Sequence, residues 1–150
     1  MLSVDWRGDY YPCIRFMESS LNGAQEPYKI GDIYHGIGYT DIEKERLKEL
    51  SEVNRLTTFP PKCMECPIAT GCGLCSGYCY QVNGTIKSKT TYICDLMKAR
   101  SLALAYFWNS YYRQNGRSDR YKIDCPKDWA LEIIDEDEWN ILKALELPQS

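Results

Sequence analysis

The sequence predicts a small, cysteine-rich α+β domain. Three observations carry that expectation. Arg7-Gly8-Asp9 is a turn flanked by β-prone residues, residues 92–112 repeat apolar side chains at helical spacing, and two capping-box patterns head further helices. With 150 residues, 44% of them apolar, twelve Tyr and four Trp, the chain can bury an ordinary core.

Taken in order, "SVDWRGDYYP" reads as a hairpin whose Gly8 can take positive φ, ending near Pro12 and leaving Cys13 at a strand end. From Ile14 to Tyr39 turn signals dominate, and loop with one short strand is expected. Thr40 and Glu43 form a capping box before a helix whose Ile42, Leu47, Leu50 and Val53 make the apolar stripe. "TTFPPK" then stops that helix. "VNGT" reads as a turn. Ile93, Leu96, Met97, Leu104, Phe107, Trp108 and Tyr111 then mark a long amphipathic helix with Cys94 in its first turn, and the aromatic residues among them are expected in its packed face. After the polar "RQNGRSDR", "DWALEII" suits a short strand or a turn of helix, and Asp135 with Glu138 caps a last helix. Lysines and arginines alternate with acids at a formal charge of −3, so no nucleic-acid or membrane-surface partner is expected. Without a basic segment followed by an apolar run at its start, and without a spanning apolar stretch, the chain reads as cytoplasmic.

The chemistry lies in the cysteines. In a reducing compartment, eight of them argue for metal binding or redox work rather than disulfides. Cys63 and Cys66 have CxxC spacing, as do Cys72 and Cys75, which lets paired sulfurs converge while the turn's N–H groups disperse their charge. Zinc ribbons usually separate two such pairs by about a dozen residues or more, whereas five residues separate Cys66 from Cys72. That crowding suits neighbouring cysteines serving different clusters, with Cys13 and Cys94 as the obvious further suppliers.

Gly8 followed by Cys13, then Cys63, Cys66, Cys72, Cys75 and Cys94, resembles the cysteine pattern of the SPASM domain, the auxiliary-cluster extension of many radical S-adenosylmethionine enzymes that modify peptides and proteins. "CPIATGC", "CSGYCYQVNGT" and "YICDLMKARSLALAYFW" are similar to a peptide-maturase branch. The resemblance covers about residues 4 to 112, giving an expected domain over 1–112 and a C-terminal extension over 113–150. It implies a SPASM-type fold with an N-terminal hairpin, cluster-binding loops, a long helix and a helical extension. It further implies up to two auxiliary [4Fe-4S] clusters, the outer one on Cys63, Cys66, Cys72 and Cys94, the other drawing on Cys13 and Cys75. The implied function is electron transfer or engagement of a ribosomal peptide substrate during thioether-type or related modification.

Departures from the family pattern narrow what the resemblance implies. The family's first cysteine would fall before Met1 and no CxxxCxxC motif occurs, so the expectation is a C-terminal fragment or one half of a split protein. Its partner would be a radical S-adenosylmethionine barrel, S-adenosylmethionine would bind only there, and this chain alone would be inactive. Ile14 follows Cys13 where sulfatase-maturing relatives carry an aspartate base, so formylglycine formation is not supported. Cys79 is surplus to the pattern. It can replace Cys75, supply the missing fourth ligand, or be a buried thiol, with Cys75 the favoured ligand. Cys125 reads as a buried or free thiol, and His35 as a loop residue outside the site. The competing reading, from a different class, is a noncatalytic structural zinc module that joins protein partners.

Overall fold

The computed structural model describes residues 1–73 and 75–146 and shows a mixed α+β chain. It divides into two compact units, residues 1–61 with 74–90, and residues 62–73 with 91–150, of which 74 and 147–150 are not described. The C-terminal segment shares a unit with the long helix.

The first unit opens with the expected hairpin, β1 (Ser3–Val4) against β2 (Asp9–Tyr11), paired Ser3 to Tyr11 and Val4 to Tyr10. The Asp5 side chain builds its turn by accepting the backbone N–H groups of Arg7 at 2.9 Å and Asp9 at 3.0 Å, and Gly8 takes φ +87°. Where loop with one short strand is expected, the chain forms a single 3-10 turn (Ile14–Phe16), a short helix α1 (Glu18–Leu21) and a second hairpin, β3 (Gly31–Asp32) with β4 (Gly36–Ile37). The four strands lie in sequence order, all antiparallel. Asp32 repeats the device of Asp5, accepting from the Tyr34 and His35 backbone at 3.0 and 2.9 Å. The His35 backbone bond above all holds its carboxyl well below the usual range. His35 is an exposed loop residue whose ring stacks on Tyr39.

Helix α2 (Asp41–Glu52) starts at Thr40 with both bonds of the capping box made. The Glu43 carboxylate takes the N–H groups of Tyr39 and Thr40 and is drawn into the fold. Ile42, expected on the apolar stripe, is instead 64% exposed, because the box turns Glu43 inward one residue along. Leu47, Leu50 and Val53 do pack on the core. The expected single helix is broken at Val53, since Asn54 accepts from Leu56 and Thr57 and starts a new turn, α3 (Arg55–Thr58). "TTFPPK" thus supplies the end of α3 and the start of α4 (Pro61–Met64). The segment before "VNGT" is helical too. In α5 (Ser76–Asn83), Val82 and Asn83 belong to the helix and Gly84 stops it in the left-handed region. The core of this unit is Tyr11, Phe16, Tyr28, Ile30 and Ile86, with Tyr80 of α5 ringed by Phe16 and Tyr28 at 5.8 and 5.1 Å between centroids.

The second unit is built on α6 (Cys94–Gln114), α7 (Lys127–Leu131) and α8 (Glu136–Glu146). Of "DWALEII" the first four residues belong to α7 and the last three form the turn after it, and Asp135 and Glu138 exchange both capping-box bonds, at 3.0 and 2.8 Å. Leu102 and Ala105 of α6 pack with Ile123, Ala130 and Leu142. Asn109, 1% exposed, clasps the connecting segment by donating to the Tyr121 carbonyl at 2.9 Å and accepting the Tyr121 N–H at 2.8 Å. The aromatic residues expected in the packed face of α6 are not there. Phe107, Trp108 and Tyr111 are exposed and pack mainly on one another, while the buried line runs through Leu102, Ala105 and Asn109. Small Ala105 permits close packing that rings of that size would prevent. Among the described residues no helix is long and apolar enough to cross a membrane.

Candidate metal centre

The two units sort the cysteines. Cys63, Cys66, Cys72, Cys94 and Cys125 belong to the second, and Cys13, Cys75 and Cys79 to the first. None of the eight is joined in a disulfide.

In the second unit Cys63 sits in α4 and is 8% exposed. Cys66 and Cys72 bracket a tight run of turns. The Ala69 N–H donates to the Cys66 carbonyl at 2.8 Å, and the Cys72 N–H to the Ile68 carbonyl at 2.9 Å, so the five intervening residues fold back instead of extending. Cys94 is the first residue of α6, at the positive end of the dipole of a 21-residue helix. Ile93 at the N-cap gives that end no side-chain acceptor. Cys125 packs against the α6–α8 core and burial pushes its thiol up.

In the first unit Cys13 precedes the 3-10 turn as its N-cap, and Cys75 precedes α5 in the same role. The two elements pack against each other, and the reason is Gly77. A Cβ at that position would lie 2.7 Å from Arg15 Cβ and 3.3 Å from the Phe16 ring. The helix is further tied down by Gln81, which donates to the Ser20 carbonyl at 3.0 Å, and by the Tyr80 hydroxyl on the Glu26 carbonyl at 2.8 Å. Cys75 is exposed, whereas Cys79, four residues on, is 2% exposed. Burial pushes the Cys79 thiol up and nearby Cys75 adds to this. The Thr90 N–H, bonded to the thiol, and the Lys89 ammonium pull the other way.

The donor chemistry suits a soft metal or an iron–sulfur cluster, since the side chains are thiols, none is in a disulfide, several are half-buried, and one of them, Cys79, accepts a backbone N–H. The geometry is not that of a closed coordination shell. Among the described residues no three His, Cys, Asp or Glu side chains gather closely enough to hold a metal ion. The chain matches no family model, no curated protein and no solved structure.

Sequence reasoning missed α5, and with it the environment of Cys79. The signal was present, because "SGYCYQVNG" ends in the Asn-Gly that closes many helices as well as many hairpins. Lys89 and Thr90 had no sequence signal, since only the fold brings them to Cys79.

Proposed function

We propose that this chain is an auxiliary iron–sulfur domain of the SPASM type, working with a radical S-adenosylmethionine barrel in the modification of ribosomal peptides. The observation that carries the reading is the sorting of cysteines by unit. The four expected to ligate the outer cluster, Cys63, Cys66, Cys72 and Cys94, fall together in one unit, and Cys13, Cys75 and Cys79 in the other.

A bound cluster would supply one-electron transfer, or an open iron to which a peptide group could attach. The chain's own part is to deliver thiolates and hold them. Cys63 and Cys66 come from α4 and the turn after it, Cys72 from the end of the following turns, and Cys94 from the head of α6. Gly77 keeps the Cys13 and α5 elements close. Because no closed shell exists among the described residues, loading requires local movement of these segments, and ligation contributes to their folding.

Anaerobic reconstitution followed by iron, acid-labile sulfide and zinc analysis tests the reading. Iron and sulfide in equal amounts, lost on Cys63→Ser with Cys66→Ser, support it. One tightly held zinc without sulfide supports the structural zinc module instead.

A further inference from the structure

Helix α6 carries two apolar faces, and the fold of its unit uses one. Leu102, Ala105 and Asn109 mark the buried side. At 3.6 residues per turn, Leu96, Arg100, Leu104, Phe107 and Tyr111 line up on the opposite side, in a stripe about 22 Å long. All five are exposed, Leu96 by 67% and Phe107 by 56%. A surface helix ordinarily has one apolar stripe, and a second, contiguous one marks an interaction surface. The only charged side chain in it is Arg100, whose guanidinium makes no hydrogen bond or ion pair among the described residues.

The two flanks of the stripe differ. On one, Trp108 stands exposed, edge-on to Phe107 and Tyr111 at 5.3 and 5.9 Å between centroids. On the other, Ala99, Ala103 and Tyr106 of α6 and Ile141 of α8 border an apolar groove of about 520 Å³. All of these residues lie in the second unit.

This surface is complementary to itself. When two copies of α6 are laid antiparallel about a two-fold axis between positions 103 and 104, Leu96 meets Tyr111, Arg100 meets Phe107 and Ala103 meets Leu104 of the other copy. The same axis brings the Trp108 flank of each copy over the groove flank of the other, with Trp108 level with Ala99. The one cation therefore meets a ring, as a cation–π contact requires, and is kept from its own duplicate. Small Ala103 beside the axis lets the helices approach closely. A register centred on Arg100 would instead oppose the two guanidinium groups and carry Tyr111 past the first residue of the other helix, Cys94. Since a whole aromatic side chain offers about 150–250 Å², the half-exposed rings, two leucines and Arg100 stem supply roughly 500 Å² per copy, or about 1,000 Å² in the pair. That is the lower bound for a specific interface, so the expected dimer is reversible, with a micromolar Kd.

We propose that the outer face of α6 is a homodimer interface, in which two copies of the helix pack antiparallel with Arg100 on Phe107 and Trp108 in the groove beside Ala99. The inference stands on α6 and α8 and is independent of the iron–sulfur reading.

Sedimentation velocity of the full chain, kept reduced and anaerobic so that no disulfide links two copies, tests it over about 1–100 µM, a range that covers a micromolar Kd. The expected result is a monomer–dimer equilibrium. Leu104→Glu and Arg100→Glu should each raise Kd about tenfold or more. Leu56→Glu, at a more exposed position in the first unit, should leave it unchanged. Combining Arg100→Glu with Phe107→Lys should bring Kd back toward the unaltered value, because the register sets position 107 of one copy against position 100 of the other. Circular dichroism follows folding, and if Leu104→Glu loses helix the Arg100 variants decide. A monomer at every concentration overturns the inference, as does a dimer indifferent to Arg100→Glu or one that the double variant fails to recover. Iron and sulfide uptake is a separate readout, so failure here leaves the proposed function standing and failure there leaves the dimer standing.

Discussion

Replacing Gly77 with alanine sets two effects of known sign against each other. Alanine in place of glycine within a helix stabilises it by up to about 1 kcal/mol, and by less near the first turn, where Gly77 lies. Against that, the new Cβ would sit 2.7 Å from Arg15 Cβ, an atom one bond from the backbone that cannot swing aside, and 3.3 Å from the Phe16 ring. Overpacking of this kind costs about 1–3 kcal/mol, so steric cost outweighs propensity and Gly77→Ala should destabilise the chain by about 1–2 kcal/mol. Gly73→Ala is the control. Nothing lies within 4 Å of its Cβ position and its φ is not in the left-handed region, so it should be neutral or slightly stabilising. Urea unfolding of the reduced chain gives both values. The same change separates the element bearing Cys13 from that bearing Cys75 and Cys79, so metal uptake by the first unit should fall in parallel. A Gly77→Ala chain more stable than the original by the full helix-propensity gain would refute the reasoning, because it would mean that the 3-10 turn and α5 are not held at this distance.

Further predictions concern the elements that frame the site. Asn109→Ala removes both bonds to Tyr121 from a fully buried position and should cost about 2–3 kcal/mol in urea unfolding, with Asn109→Asp failing to rescue because it loses the donor and buries a charge. Thr40→Ala breaks the reciprocal cap of α2 and should cost about 1 kcal/mol, read by the same assay. Glu49 is held below its ordinary pKa chiefly by the Tyr28 hydroxyl at 2.8 Å, with Lys87 assisting. Its folded pKa lies below the unfolded one, so its contribution is present in full above the unfolded value and is lost as pH falls through the folded value. Tyr28→Phe should therefore bring the Glu49 carboxyl back toward the ordinary range in an NMR titration and flatten the acid limb of stability.

Legibility followed the range of the forces involved. Both capping boxes, the first hairpin and the long helix are set by residues within a few positions of each other, and each appears where the pattern puts it. The break at Val53 was also local, since Asn54 caps as Thr40 does, but a continuing apolar stripe concealed it. Exposure of the α6 aromatics could not be read, because which face of a helix is buried depends on what packs there. Here that is settled by Asn109 meeting Tyr121 and Ala105 lying under α7 and α8. The cysteine spacing pointed to two ligand sets. The pairing of Cys79 with Lys89 and Thr90 is a long-range product of α5 and the loop after it, and spacing alone does not contain it.

The measurement that bears most directly on the proposed function is low-temperature electron paramagnetic resonance of the anaerobically reconstituted chain after chemical reduction. The account predicts the signal of a reduced [4Fe-4S] cluster, abolished or sharply reduced when Cys63 and Cys66 are replaced by serine. A silent spectrum from a folded chain that holds zinc, or no metal at all, would contradict it.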